Sequence, residues 1–227
     1  MNSVEQSSTA VHDLTPGGRT DEDVRVYIVD DDSSVRDSLR ELVRGMGLAC
    51  ECFASAPAFL DARRRQQGGC LVVDLRMPGM TGIELQRKLR DSGDDLPLIF
   101  VTGFADVPTS VLAMKTGAVD FLEKPYQPAE LRACIRRAMS EDRYRRRQSQ
   151  RRSDLATRFA NLDEEERAVL ELLCQGEPMK SIANRLSISL RTAHSRRASI
   201  LTKTEARTRE ELLGMFVELN QLEGRND

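Results

Sequence analysis

The chain has 227 residues, of which 34 are lysine or arginine and 36 are aspartate or glutamate, so its formal net charge is −2. This length exceeds the usual size of one domain, roughly 100–200 residues, and predicts two domains. A near-neutral charge argues against a uniformly basic coat for nucleic acid, although a local basic patch stays compatible with it. No apolar run approaches the ~20 residues of a membrane span, so we expect no membrane insertion.

The first 23 residues are polar, contain proline and glycine, and lack the apolar core of a signal peptide. We predict a disordered arm at residues 1–23. The five cysteines are scattered and lie mostly in apolar runs, which does not match a disulfide or zinc framework. This use of cysteine favours a reducing compartment, so the predicted location is the cytoplasm.

Residues 24–139 alternate short apolar runs with helical patterns, as expected for βα units that build a parallel sheet. The runs are VYIV, LACECF, CLVVDL, LPLIFVTG and AVDFLEKP. They predict an α/β doubly wound, five-stranded parallel sheet. Ligands of such sheets bind beyond the carboxyl ends of the strands. The polar residues at these ends are Asp30, Asp31, Asp74, Thr102 and Lys124.

Three consecutive aspartates, Asp30 to Asp32, follow the first strand, although like charges raise one another's cost of ionisation. Helix capping accounts for one of them, at most two. A bound Mg²⁺ would account for the others, because this cation prefers oxygen ligands. Asp74 ends a wholly apolar strand and is therefore a candidate carboxylate nucleophile. A phosphoryl group on it would be neutralised by the metal, the Thr102 hydroxyl and the Lys124 ammonium.

A further helix is predicted from near Gln127, with Leu131, Ile135 and Met139 at helical spacing. Apolar residues then nearly vanish in SEDRYRRRQSQRRSD, and we place a linker at residues 140–156. A polar helical extension is the favoured interpretation of the linker, and a disordered tether is the alternative. Its arginines are interpreted first as solvated, and second as contacts to DNA phosphates.

Residues 157–227 show helical patterns without strands, which predicts an all-α domain. Acids occupy the first turn of LDEEERAVLELLCQGE, and Gly176 is the predicted stop. A short helix in MKSIANRLSIS is followed by a turn and a basic helix in SLRTAHSRRASILTKT, with Ser189 as its predicted N-cap. Two short helices in this order are the ingredients of a helix-turn-helix.

Together these motifs resemble the two-component response regulators. Residues 24–139 are similar to the receiver domain, a flavodoxin-like fold, and VTGFADVPTSVLAMKTGAVDFLEKP is similar to its FixJ branch in particular. The carboxy-terminal third resembles the LuxR/NarL/FixJ helix-turn-helix domain. The resemblance implies a protein that accepts a phosphoryl group from a sensor histidine kinase, forms a homodimer, and binds promoter DNA to control transcription. It implies no enzyme beyond Mg²⁺-dependent self-phosphorylation from a phosphodonor and slow autodephosphorylation.

The resemblance also assigns roles in the phosphorylation pocket. It implies that Asp74 is the phosphoacceptor, that Asp31, Asp74 and the Arg76 carbonyl bind Mg²⁺ directly, and that Asp30 binds it through water. Asp32 has no counterpart, and we interpret it as a cap or an outer acid.

A conformational switch is implied as well, in which Thr102 moves toward the phosphoryl group and the Phe121 ring rotates inward. The helix from Val107 to Lys115, the fifth strand and the helix from Gln127 would then form a dimer face. The resemblance further implies a cis peptide bond at Lys124–Pro125.

In the second domain the resemblance places the helix Ser189 to Thr204 in the major groove of DNA. The residues expected to face base edges are His194, Ser195 and Ala198. The residues expected to hold phosphates are Lys180, Arg191, Arg197 and Lys203. The helix departs from the family pattern of valine, valine, histidine and leucine or methionine at Ala193, Ser195, Arg196 and Thr204. These changes thin its apolar side and leave its packing and sequence preference open.

Two other classes of function stay open at this point. One is a stand-alone phosphotransfer enzyme or phosphatase, against which Arg76 stands where haloacid-type phosphatases carry a second aspartate after the nucleophile. The other is a receiver that acts as a protein-interaction module, or a DNA-binding protein that is independent of phosphorylation.

Overall fold

The computed structural model describes residues 24–65, 67–103, 111 and 113–223. The predicted arm at residues 1–23 lies outside the described residues, as do residues 107–110 and 112 of the predicted helix Val107 to Lys115. The chain divides into two compact units, Met1–Arg143 and Tyr144–Asp227. This division falls within the segment predicted as the linker, residues 140–156.

The first unit is built around a parallel sheet. Its elements are β1 (Val24–Val29), α1 (Ser33–Arg44), β2 (Ala49–Phe53), α2 (Ala56–Ala62), β3 (Gly68–Asp74), α3 (Gly82–Asp91), β4 (Leu98–Thr102) and β5 (Asp120–Glu123). All four strand pairs are parallel, and the strand order is β2-β1-β3-β4-β5. The predicted doubly wound, five-stranded sheet is confirmed.

Both faces of the sheet are covered, because alternate residues of β1 enter different cores. Tyr27 and Val29 pack in one apolar cluster, and Val26 and Ile28 pack in the other. All seven residues of β3 are buried. A central strand that is covered on both faces consists of consecutive apolar residues, and this pattern allowed such strands to be predicted from the sequence.

The remaining helices are α4 (Pro128–Ala160), α5 (Glu164–Cys174), α6 (Met179–Arg185), α7 (Leu190–Thr204) and α8 (Arg209–Glu223). Helix α4 is continuous through the boundary between the two units. Its residues Leu131 and Ile135 belong to a core cluster of the first unit, whereas Leu155 and Phe159 belong to the core of the second. The described part of residues 157–227 is helical without strands, as predicted.

Helix α7 packs well in spite of its thinned apolar side. Ala193, Ile200 and Thr204 are all fully buried. The buried hydroxyl of Thr204 donates to the carbonyl oxygen of Ile200 at 2.7 Å, so its polarity is satisfied within the helix. The Ser189 side chain accepts a hydrogen bond from the Thr192 amide, which confirms the predicted N-cap. Among the described residues, no helix is long and apolar enough to cross a membrane.

Candidate phosphorylation pocket and DNA-binding helix

The three consecutive aspartates after β1 have three different surroundings. Asp30 is almost fully buried, whereas Asp31 and Asp32 are exposed. Asp32 is the N-cap of α1, and its carboxylate accepts hydrogen bonds from the Ser34 amide at 2.8 Å and the Ser34 hydroxyl at 2.7 Å. These bonds hold the pKa of Asp32 below its ordinary value. The interpretation of Asp32 as a cap is confirmed.

An arginine of α1 fixes the backbone of this acidic loop. One guanidinium nitrogen of Arg36, Nη1, donates to the carbonyl oxygens of Asp30 at 2.8 Å and of Asp31 at 2.9 Å. Sequence reasoning missed this residue, because only the fold brings its side chain back over the loop. The guanidinium also places a positive charge beside the aspartates, which lowers their mutual repulsion.

Asp74 lies at the carboxyl end of β3 and is buried, with 8% of its surface exposed. Its Oδ2 accepts a hydrogen bond from the Arg76 amide at 2.7 Å, and its Oδ1 accepts one from the Lys124 ammonium at 3.0 Å. Burial raises the pKa of Asp74 above its ordinary value, and the hydrogen bonds from Lys124 and Arg76 oppose that shift. The side chain is therefore held in one place at the end of the sheet.

The Lys124 ammonium joins two of the predicted site residues. It contacts Asp30 Oδ2 at 2.9 Å and Asp74 Oδ1 at 3.0 Å. Burial alone would lower the pKa of Lys124, but the hydrogen bonds to both carboxylates outweigh it and raise the pKa. The Lys124 amide donates to the Thr102 carbonyl at 2.7 Å, and the Lys124–Pro125 bond is cis, as expected.

The two predicted switch residues lie on neighbouring strands. Thr102 is 1% exposed at the end of β4, where it pairs with Glu123 of β5. Phe121 is partly buried against the core, and its ring centroid lies 6.3 Å from that of Phe100. The structure thus places Thr102 at the same end of the sheet as Asp74 and Lys124, where the strands have their carboxyl ends, and it places Phe121 on the adjoining strand.

Sequence reasoning also missed Gly82, the first residue of α3. A Cβ atom at this position would lie 2.6 Å from the Asp74 carbonyl oxygen and 2.9 Å from Cε1 of Phe100. The helix can start this close to β3 only because glycine lacks a side chain. The available signal was a glycine that directly follows the Thr81 cap of a capping box.

The pocket offers hard oxygen donors for a divalent cation. The carboxylates of Asp30 and Asp74 converge on one ammonium group, and both are buried, whereas Asp31 is exposed beside them. Oxygen donors of this kind suit Mg²⁺. In the part of the chain that the structure describes, no three acidic, histidine or cysteine side chains are already grouped tightly enough to hold a metal ion.

Helix α7 presents a polar stripe to solvent. Its exposed residues include four that recur at helical spacing, namely Arg191, His194, Ser195 and Ala198. These include all three residues expected to face bases. Arg197 is half-buried at the border of the stripe, and Lys180 is exposed at the start of α6.

Lys203, the fourth residue expected to hold phosphates, also takes part in an ion pair inside the domain. Its ammonium contacts Oε2 of the buried Glu166 at 2.6 Å. The other oxygen of Glu166 accepts a hydrogen bond from the Ser199 hydroxyl at 2.6 Å. Burial alone would raise the pKa of Glu166, but the bonds from Lys203, Ser199 and the Asp163 amide lower it to about 2. The Lys203 side chain therefore joins α7 to α5 and stays partly exposed.

Two protein families match the chain. The response regulator receiver domain matches residues 26–136, and the bacterial regulatory proteins of the luxR family match residues 160–216. The transcriptional regulatory protein FixJ of Azorhizobium caulinodans is 43% identical over 194 residues, which are 86% of this chain and 92% of that protein. The response regulator protein TodT of Pseudomonas putida is 39% identical over 188 residues, 83% of each chain.

Solved structures give the same result. The response regulator StyR has a TM-score of 0.81 at 39% identity, over 86% of this chain and 98% of that chain. Full-length FixJ from B. japonicum has a TM-score of 0.54 at 39% identity, over 87% and 97% of the two chains. The chain is therefore a two-component response regulator that controls transcription. Within that class it belongs to the NarL/FixJ family, with a receiver domain followed by a LuxR-type DNA-binding domain.

Proposed function

We propose that this regulator accepts a phosphoryl group on Asp74 from the phosphohistidine of a sensor kinase, and that phosphorylation promotes dimerisation and binding to promoter DNA. One observation carries the proposal: the Lys124 ammonium contacts both Asp30 and Asp74 at the buried ends of two strands. A carboxylate can act as a nucleophile, and a cation fixed beside it would neutralise negative charge on the phosphorylated product. We assign the reaction to the receiver domain at residues 24–139, in the cytoplasm.

The transfer balances with the groups at hand. A carboxylate oxygen of Asp74 attacks phosphorus, the bond from phosphorus to the kinase imidazole breaks, and its electron pair returns to the imidazole nitrogen. The Lys124 ammonium then pairs with the phosphoryl oxygens while it keeps its contact with Asp30. Mg²⁺ would neutralise the remaining phosphoryl charge when bound. The residues proposed to hold it are Asp31, Asp74 and the carbonyl of Arg76, with Asp30 acting through water.

Movements of Thr102 and Phe121 would transmit the phosphorylation of Asp74 to the rest of the receiver domain. A phosphoryl group on Asp74 offers new acceptors to the Thr102 hydroxyl at the neighbouring strand end, which draws that side chain toward Asp74. The space that Thr102 leaves would admit the Phe121 ring, which already packs near Phe100. Because Phe121 has no hydroxyl group, the change would be transmitted by packing to a dimer face that includes β5.

In the DNA-binding domain, proposed at residues 157–227 after a linker at 140–156, α7 would enter the major groove. His194, Ser195 and Ala198 would face base edges, because they lie on the exposed stripe of this helix. The phosphate contacts proposed are those of Lys180, Arg191, Arg197 and Lys203.

The test is incubation of the full chain with Mg²⁺ and acetyl phosphate, followed by mass spectrometry and size-exclusion chromatography with light scattering. We expect one phosphoryl group and a dimer. Both should be absent in Asp74→Asn and present in the matched control Asp61→Asn, which changes an exposed aspartate of α2. Uptake that persists in Asp74→Asn would contradict the assignment of the acceptor.

DNA binding is tested separately, by selection of duplexes from a random library with the phosphorylated chain. Enriched sequences that lose affinity with His194→Ala would support α7 as the reader of bases. Failure to retain any duplex would favour a protein-interaction module instead.

A further inference from the structure

The acidic loop, residues 30–32, has a backbone that is bonded at several points. The Asp30 amide donates to the carbonyl oxygen of Phe53 in β2 at 3.3 Å. The Asp32 amide donates to Oδ1 of Asp30 at 2.9 Å. Between these two bonds, Nη1 of Arg36 donates to the carbonyl oxygens of Asp30 and Asp31, at 2.8 and 2.9 Å. Arg36 therefore holds the middle of the loop from a position outside it, on α1.

The three carboxylates of the loop are held to different degrees. Both oxygens of Asp30 are engaged, one by the Asp32 amide and the other by the Lys124 ammonium. The Asp32 carboxylate is engaged by Ser34. The Asp31 side chain is exposed, and no residue that the structure describes bonds its carboxylate. Where the Asp31 carboxylate can reach is therefore set by its backbone, and the backbone is bonded by Arg36.

Magnesium tolerates little error in the placement of its ligands, because it demands near-octahedral geometry at about 2.0–2.1 Å. With a fixed backbone, Asp31 needs only to rotate its side chain to bind the cation. With a loose backbone, binding must order the loop as well, and that ordering costs conformational entropy. The affinity of the proposed site for Mg²⁺ therefore depends on how firmly the acidic loop is held.

The charge of Arg36 has the opposite effect on a bound cation. The guanidinium is permanently charged, and two cations close to each other repel. If charge alone mattered, removal of Arg36 would strengthen the binding of Mg²⁺. If its hydrogen bonds to the two carbonyl oxygens matter more, removal would weaken binding. The sign of the change therefore separates the two effects.

We propose that Arg36 is a positioning residue for Mg²⁺, which holds the acidic loop so that the Asp31 carboxylate can bind the cation together with Asp74. It thereby lowers the Mg²⁺ concentration that phosphoryl uptake requires. The inference rests on the magnesium site and the phosphoacceptor of the proposed function. Groups that orient metal ligands from outside typically change metal affinity by about 10–100-fold when they are mutated.

The experiment compares four full-length proteins after removal of metal with a chelator: the wild type, Arg36→Met, Arg36→Lys and the control Arg40→Met. Methionine keeps an unbranched stem but has no donor, whereas lysine keeps a cation with N–H donors. Arg40 lies one turn further along α1, where its guanidinium pairs with Asp37. The control therefore removes the same charge from the same helix and keeps the bonds of Arg36. Urea unfolding verifies that each variant is folded.

Magnesium affinity is measured from the amide NMR signals of the acidic loop during titration with magnesium chloride at constant ionic strength. We expect the Kd for Mg²⁺ to rise by about 10-fold or more in Arg36→Met. It should rise less in Arg36→Lys, whose ammonium can still donate to a carbonyl oxygen, and should not change in Arg40→Met. Because the proposed action passes through Asp31, Arg36→Met should change the Kd much less in an Asp31→Asn background.

Phosphoryl uptake from acetyl phosphate is then followed by mass spectrometry at increasing Mg²⁺ concentration. Arg36→Met should need about 10-fold more Mg²⁺ for its half-maximal rate and should reach the wild-type rate at saturation. A fold that is merely less stable would not produce this separation of the two quantities.

A Kd in Arg36→Met that equals or falls below that of Arg40→Met would overturn the inference, as would an equal change in the Asp31→Asn background. A lower maximal rate with an unchanged Kd would also overturn it and assign Arg36 to the transfer itself. A wild type that binds no Mg²⁺ would refute the magnesium site of the proposed function. Binding by the wild type and by Arg36→Met with equal constants refutes this inference alone.

Discussion

The buried Glu166 gives the sharpest test of how the DNA-binding domain is held together. Its carboxylate accepts hydrogen bonds from Lys203 at 2.6 Å and Ser199 at 2.6 Å, and it closes the capping box at Asp163. Glu166→Gln keeps the size of the side chain but removes the charge. Lys203 then loses the carboxylate that it contacts at 2.6 Å, and this link between α7 and α5 is weakened.

The magnitude follows from the pKa of Glu166, which the fold lowers from 4.5 to about 2. At roughly 1.4 kcal/mol per unit this shift corresponds to about 3 kcal/mol. Because Lys203 stays partly exposed, solvent screening reduces it, and we expect the substitution to cost about 2 kcal/mol at pH 7. A folded-state pKa below the unfolded value stabilises the fold above pH 4.5, and this stabilisation is lost as the pH falls toward 2.

Hydrogen exchange with mass spectrometry on the full chain measures the effect, since peptides from α5 and α7 report the opening free energy of this domain. Exchange in the receiver peptides serves as the internal reference. The difference between wild type and Glu166→Gln should shrink as the pH is lowered from 5 to 3. A difference below about 0.5 kcal/mol at pH 7, or one that does not change with pH, would refute the reasoning.

Two further predictions concern the receiver domain. Gly82→Ala should lower the free energy of unfolding in urea by about 1–3 kcal/mol, because the new Cβ would lie 2.6 Å from the carbonyl oxygen of Asp74. It should also slow phosphoryl uptake. The control Gly214→Ala, whose Cβ meets open space, should not destabilise the protein. Asp94→Asn should cost about 3 kcal/mol, because it leaves the buried Arg63, now bonded to Asp94 at 2.8 and 3.0 Å, without its anion. Unfolding midpoints equal to that of the wild type would contradict either prediction.

The sequence predicts this fold well because strands that are buried on both faces appear in the sequence as continuous apolar runs. The seven residues of β3 are all buried, and a run of that kind has few alternatives among βα patterns. The pocket was predictable for a related reason. Asp30 and Lys124 directly follow strands, and Asp74 is the last residue of one. The carboxyl ends of parallel strands lie at the same end of the sheet.

What the sequence did not predict depends on contacts between distant positions. Arg63 and Asp94 are 31 residues apart, and no local pattern pairs them. The ion pair of Lys203 with Glu166, 37 residues earlier, was likewise not predicted. The packing of α7 was left open because Ala193, Ser195, Arg196 and Thr204 thin its apolar side. Only the structure shows the Thr204 hydroxyl bonded inside the helix.

The three consecutive aspartates show how one short sequence serves several purposes. Like charges are tolerated side by side when each has its own compensation. The Asp32 carboxylate caps the first turn of α1, and the Asp30 carboxylate forms an ion pair with Lys124. Asp31 stays exposed to solvent, and Arg36 binds its carbonyl oxygen. Because Arg36 binds the carbonyl oxygens of Asp30 and Asp31, a residue outside the acidic motif helps to fix the backbone of this loop.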